Sequence, residues 1–266
     1  MKFLYETFLK DFKIAISYKA QFAFSIISIF ITILTFFLFS KLIDSGNSNH
    51  LKEYSSYMFF LIFGVISAEI SMILITNPSK NIREMQLTGV FEELIASGKN
   101  ISAIILSTFI YPIAWLSLRV MVYIIAGVFI FNIELSSLSY VTIISSLVFA
   151  ISMIGIGLIS ISSIITIKSG NYIGTMYLSI SSLLGGVAYP ISVLPEKIRF
   201  MSQLLPTTHF LNIFRLDAIN ADLAFADISN DFKLLLFLSL LFFSLGLYLL
   251  KISIKIAKKH GSLLFY

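Results

Sequence analysis

Two ionisable residues, Glu69 and Arg119, stand deep inside apolar stretches of this 266-residue chain. A charge at the centre of an apolar helix is costly, so such residues face a protein interior and pair with one another. Glu69 lies 15 residues below Tyr54, at the outer end of its run, and Arg119 lies 13 residues below Asn132. At the helical rise of 1.5 Å per residue these are depths of roughly 22 and 19 Å. Consecutive antiparallel helices pack together, so the spacing predicts a Glu69–Arg119 ion pair joining two spans. Such a pair can relay motion between helices or simply orient them. Other chemistry is sparse. Cysteine is absent, which removes disulfides, thiolate metal sites and thiol nucleophiles. The three histidines, His50, His209 and His260, are too far apart in sequence to suggest a metal cluster. Ser97-Gly98-Lys99-Asn100 imitates a phosphate-binding loop, but that motif needs glycine where Glu93 stands and serine or threonine where Asn100 stands. No cofactor is expected, and no ATP site by that route.

The elements that carry these residues follow from hydropathy. Hydrophobic residues make up 58% of the chain, charged residues 12%, and the mean hydropathy is +0.94. A soluble domain carries about 25% charged residues, so lipid is the solvent this surface fits. The formal charge of +5 sits beside apolar runs without interleaved aromatics, a membrane pattern and not a nucleic-acid one. Residues 1–19 form an amphipathic helix lying in the interface, with Leu4, Tyr5, Phe8, Leu9, Phe12, Ala15 and Ile16 on one side. Residues 20–266 then form a single domain of six spans. These are placed at about Gln21–Ile43, Ser55–Thr76, Ile101–Phe131, Tyr140–Ile167, Tyr172–Ala188 and Leu234–Ile254. The third is overlong and is expected to begin in the interface, with a kink at Pro112.

Charge sets the expected orientation. With the N-terminus inside, twelve basic residues face the cytoplasm and six face out: Lys41, Lys52, Lys197, Arg199, Arg215 and Lys233. That excess favours both termini in the cytoplasm, in a multi-pass protein of the cell membrane.

Two segments between spans stand out. In the first, Asn77-Pro78 is expected to end the second span. Arg83 to Ser97 then suits one short helix closed by Gly98: a docking element offering acids to a partner, or else a solvated cap. The second runs from Gly185 to Arg215 and holds Pro190, Pro195 and Pro206, yet stays apolar. Broken but apolar backbone beside a span reads as a re-entrant external hairpin.

These segments resemble the permease family of type-2 ATP-binding-cassette exporters. The family carries Gly-Thr-Leu-Glu after span two; this chain has Gly89-Val90-Phe91-Glu92, with Arg83-Glu84 upstream and Glu93 following. Valine replaces the threonine. The family's external pattern is matched by Tyr189-Pro190, Leu194-Pro195, Pro206-Thr207-Thr208-His209 and Arg215. The resemblance implies an all-α integral membrane fold of six spans, with an N-terminal interfacial helix, a cytoplasmic coupling helix between spans two and three, and an external re-entrant gate between spans five and six. It implies coupling to a separate ATPase subunit through Arg83, Glu84, Gly89, Glu92 and Glu93, and a second permease subunit, identical or related. The chain itself would be no enzyme.

Within that family the polysaccharide branch has Ser-x-Leu-Gly-x-x-Trp before span one. Here Ala20-Gln21-Phe22-Ala23-Phe24 stands there, and Trp115 is the lone tryptophan. That favours a drug, peptide or other amphipathic substrate over a lipid-linked glycan or polysaccharide. An intramembrane enzyme would need paired catalytic groups, and with the spans as placed no aspartate falls within one. An ion-coupled secondary transporter would need a second interrupted region, which the other half lacks. The serines of spans four and five, Ser160, Ser162, Ser163, Ser179, Ser181 and Ser182, are expected to serve close helix packing more than to line a path.

Overall fold

The computed structural model describes residues 2–44, 57–131, 139–167, 170–219 and 225–259. His50, Lys52, Tyr54, Ser55, Asn132, Lys168 and His260 lie outside the described residues. All regular structure among those described is helical: α1 (Lys2–Ser17), α2 (Lys19–Asp44), α3 (Tyr57–Leu87), α4 (Val90–Ala96), α5 (Ile101–Ser107), α6 (Ile110–Phe131), α7 (Tyr140–Ile167), α8 (Tyr172–Leu184), α9 (Glu196–Ser202), α10 (Pro206–Ile219) and α11 (Phe225–Lys259), with a 3-10 turn at Ile191–Val193. Among the described residues, four stretches are long and apolar enough to cross a membrane: Phe60–Leu87, Ile101–Ala126, Tyr140–Ile167 and Ile228–Lys259. Ala23–Thr35 and Tyr172–Leu184 are shorter apolar helices.

The bundle is built around α3 and α7. The most extensive pairing is α7 with α11, followed by α3 with α7. Small residues set the first pairing. A methyl at Gly155 would come within 2.6 Å of the Phe242–Phe243 backbone, and one at Gly246 within 2.5 Å of the Gly155 carbonyl. Lipid supplies no hydrophobic force between helices, so close backbone approach of this kind is what holds them. Ser253 adds a hydrogen bond to the Ser162 carbonyl at 3.1 Å. The core divides in two along the bundle. Toward one end, Phe149, Phe210 and Phe214 form a ring ladder, with Phe149 stacked on Phe210 at 4.4 Å. Toward the other, Ile82, Phe91, Ile104, Ile161 and Leu250 pack together.

Several boundaries differ from those expected. α3 does not stop at Asn77-Pro78 but runs through the buried Pro78 to Leu87. The proline removes the helical donor for the Leu74 carbonyl. That oxygen lies against Gly157, where a methyl would approach within 2.7 Å, and Ser79 donates to the adjacent Ile75 carbonyl at 2.8 Å. Neighbouring helices and hydroxyls compensate prolines in this way inside bundles. Arg83 to Ser97 is accordingly not one helix: its first turn belongs to α3, and a Thr88–Gly89 turn separates α4. The third run divides into α5 and α6 at Thr108–Phe109 rather than kinking at Pro112 itself. Pro112 lacks the N–H that would bond Thr108, which is where the helix opens. α8 ends at Leu184, short of Ala188, and α11 begins nine residues before Leu234, placing Asp231 on the last long helix.

Candidate functional site

Three polar arrangements stand out among the described residues, at the middle and the two ends of α3. In the middle, Arg119 Nη2 donates to Glu69 Oε1 at 3.0 Å, with both side chains mostly buried. The Tyr123 hydroxyl, one turn along α6, donates to the same oxygen at 3.0 Å. Glu69 Oε2 and Arg119 Nε are buried without hydrogen-bond partners. One carboxylate oxygen thus accepts both hydrogen bonds, and each is charge-assisted.

At the first end, α3 turns into α4. Gly89 makes the turn with φ 74°, a left-handed conformation that a side chain would strain. Gly98, at φ 77°, closes α4, with its N–H bonded to Ile95 O at 3.0 Å. Phe91, 1% exposed, roots α4 in the core. Glu92 and Glu93 occupy the first turn, where the helix dipole favours acids; Glu93 is exposed and Glu92 half-buried. Glu84 is exposed on the last turns of α3, and Arg83 is half-buried beside it. The five sequence-selected residues therefore share one corner, split between two helices. Beside that corner, α1, α3 and α6 enclose a cavity of about 440 Å³ bordered by Asp11, Asn77, Glu84, Tyr111 and Trp115.

At the second end, the eight residues expected to form the gate separate into two groups. Tyr189, Pro190, Leu194 and Pro195 lie in the turns between α8 and α9, exposed or half-buried. The Tyr189 hydroxyl donates to the Leu183 carbonyl. Pro206, Thr207, His209 and Arg215 are buried on α10. Pro206 opens that helix, where a missing N–H costs nothing. Thr207 meets Ser181 at 2.7 Å and Tyr177 at 3.3 Å, fastening α10 to α8. His209 lies between Asp231 (2.6 Å from Nδ1) and the Gln203 carbonyl (2.8 Å from Nε2). Arg215 donates to the carbonyls of Gly186 (2.9 Å), Phe60 (3.2 Å) and Val187 (3.3 Å), its guanidinium 3.4 Å above the Phe60 ring. α10 is thus an anchor binding α3, α8 and α11, with the turns held above it.

Sequence reasoning passed over Asp217. Its buried carboxylate accepts from Ser139 N and Ser139 Oγ, both at 2.9 Å, and from Thr142 Oγ1, capping α7 from α10. Its partners lie 75 and 78 positions away, so no local pattern announces it. Of the serines, Ser162, Ser163, Ser179 and Ser182 bond within their own helices. Ser160 reaches Asn171, and Ser181 reaches Thr207. Ser179, Ser181 and Ser182 also face Ser71 and Met72 of α3 across a cavity of about 310 Å³.

No curated protein is similar enough to the chain to count as a match. The family model described as ABC-2 type transporter matches residues 9–216, which takes in Glu69, Arg119, the α3–α4 corner and the eight residues expected to form the gate, and the chain belongs to that family.

Proposed function

We propose that the chain is the permease subunit of an ATP-driven exporter, docking a separate ATPase at the α3–α4 corner. The observation that carries this reading is α3 itself. It is one uninterrupted 31-residue helix whose first turn is held by Arg215, whose middle is tied to α6 by Glu69, and whose last turn leads into α4. A push on α4 therefore reaches the Glu69–Arg119 pair and the α10 anchor through a single helix, and the pair acts as a relay.

In this reading α2, α3, α5–α6, α7, α8 and α11 are the six spans, both termini are cytoplasmic, and α1 lies in the inner interface of the cell membrane. The turns after α8, with α10 as their anchor, are the re-entrant gate between the fifth and sixth spans. Two such subunits, identical or related, enclose the path. The cavity between α3 and α8 borders it, and a lining of serines with Met72 and Leu178 suits an uncharged or amphipathic small molecule or peptide more than a polyanionic glycan.

The chain is free of cysteine, so single-cysteine variants report without background. Cysteine at Glu93 should crosslink to a nucleotide-binding polypeptide co-purified from native membranes, and cysteine at Lys197 should not. Substrate export by the purified chain with no such polypeptide present would overturn the reading.

A further inference from the structure

A third cavity, of about 540 Å³, lies where the α4–α5 turn meets the end of α11. Three lysines border it: Lys99 from the turn, and Lys251 and Lys258 from α11. Positions seven apart fall on one helical face, 20° short of two full turns at 100° per residue, so Lys251 and Lys258 point the same way. Both are exposed, and neither forms an ion pair among the described residues. The backbone of the turn is set by Gly98 at φ 77° and by Asn100, which caps α5 through a 3.0 Å bond from Ser102 N. Lys99 is thereby presented at a defined place rather than on a loose loop. Glu92 and Glu93, the acids of α4, line no part of the cavity.

The lining also carries apolar surface, from Ile95, from Ile254 on the same face of α11 as the two lysines, and from the buried Ile101. Lys251 stands 18 residues along α11 from Lys233, which is roughly 27 Å at the helical rise and close to the thickness of a hydrocarbon core, about 30 Å. The cavity is therefore at headgroup level. The like charges of Lys251 and Lys258 repel across the hollow, and a compact anion relieves that repulsion. An anion carrying an apolar tail would also use the isoleucine surface.

We propose that this cavity binds the phosphate headgroup of an anionic phospholipid, with its chains along Ile95 and Ile254, so that one lipid clasps the α4–α5 turn to α11. Basic pockets between spans recognise such lipids through these same forces. The site stands whether or not an ATPase docks at α4.

The test uses the purified full-length chain in phosphatidylcholine nanodiscs, titrated with phosphatidylglycerol and read by native mass spectrometry. Each lysine changed to glutamine should weaken retention of the anionic lipid about fivefold, and Lys99→Gln/Lys251→Gln/Lys258→Gln together about a hundredfold. Lys13→Gln/Lys19→Gln, exposed on α1 and α2, should change it less than about twofold, because those lysines border no part of this cavity. Melting in pure phosphatidylcholine should be unaltered in all of them. If the triple variant does not fold, the single variants at the exposed Lys251 and Lys258 decide. Three results would each overturn the proposal: undiminished lipid binding by the lysine variants, an equal loss in the α1–α2 control, or displacement of the lipid by millimolar inorganic phosphate. The second would mean diffuse surface charge and the third a free-anion site.

Discussion

Replacing Arg119 by methionine tests the centre of the bundle most sharply. The change keeps an unbranched apolar side chain but leaves Glu69 with one neutral donor, Tyr123, and an Oε2 that already has no partner. At a separation of 3.0 Å and an effective dielectric near 20, the direct attraction is about 5–6 kcal/mol before desolvation is subtracted. Breaking a buried pair from one side costs roughly 3–5 kcal/mol, because the remaining charge is stranded. Glu69→Met/Arg119→Met removes both charges, and an apolar replacement of a whole pair is close to neutral. The double variant should therefore recover most of the loss, leaving a coupling energy of at least about 3 kcal/mol. Unfolding of the four proteins in mixed micelles, read by circular dichroism, supplies the cycle. The exchanged variant, Glu69→Arg with Arg119→Glu, should likewise exceed either single change in stability. If the losses in the double variant merely add, or if the exchange is no better than a single change, the two side chains do not act as a pair. Transport distinguishes relay from static support: a relay predicts that the double variant regains stability without regaining substrate export.

Two further outcomes follow from packing and capping. Gly155→Ala places a methyl within 2.6 Å of the α11 backbone, so the α7–α11 seam must part; melting should report a loss of roughly 1–3 kcal/mol, and an unchanged melting temperature would mean that the seam is looser than described. Asp217→Ala deletes every bond that α10 supplies to the start of α7 and should cost about 2 kcal/mol. Amide exchange in the first turn of α7 should accelerate, and protection there equal to the parent's would refute the capping role.

What the sequence disclosed followed the physics that each residue feels locally. Tyr140–Ile167 has the same ends in the hydropathy pattern and in the structure, because its apolar content is uninterrupted and its limits are polar. Glu69 and Arg119 were legible as partners because charge in an apolar helix has few ways of being satisfied and their depths agreed. Pro78 misled because its helix-ending tendency is a local rule, whereas Gly157 of another helix and Ser79 make the continued helix tolerable. Asp231 fell outside the expected span because the polar opening of α11 has no apolar signal, although His209 meets it at 2.6 Å. Arg215 was singled out by motif, but its partners are backbone carbonyls on α3 and the α8 turn, and carbonyls have no residue identity to read. The division of the expected gate into surface turns and a buried anchor follows from three-dimensional folding alone.

The continuity of α3 through Pro78 has a mechanical consequence. With Glu69 as a fulcrum, the arm toward Leu87 is 18 residues long and the arm toward Phe60 is nine, roughly 27 and 13.5 Å at the helical rise. A stiff rod pivoting there halves displacement and doubles force from the α4 corner to the Phe60 end. A swing of about 4 Å at Leu87 would arrive as about 2 Å at Phe60 by that arm ratio, enough to outrun the Arg215 hydrogen bond to the Phe60 carbonyl, which already stands at 3.2 Å. A helix ending at Asn77 would have had nearly equal arms and no such gearing.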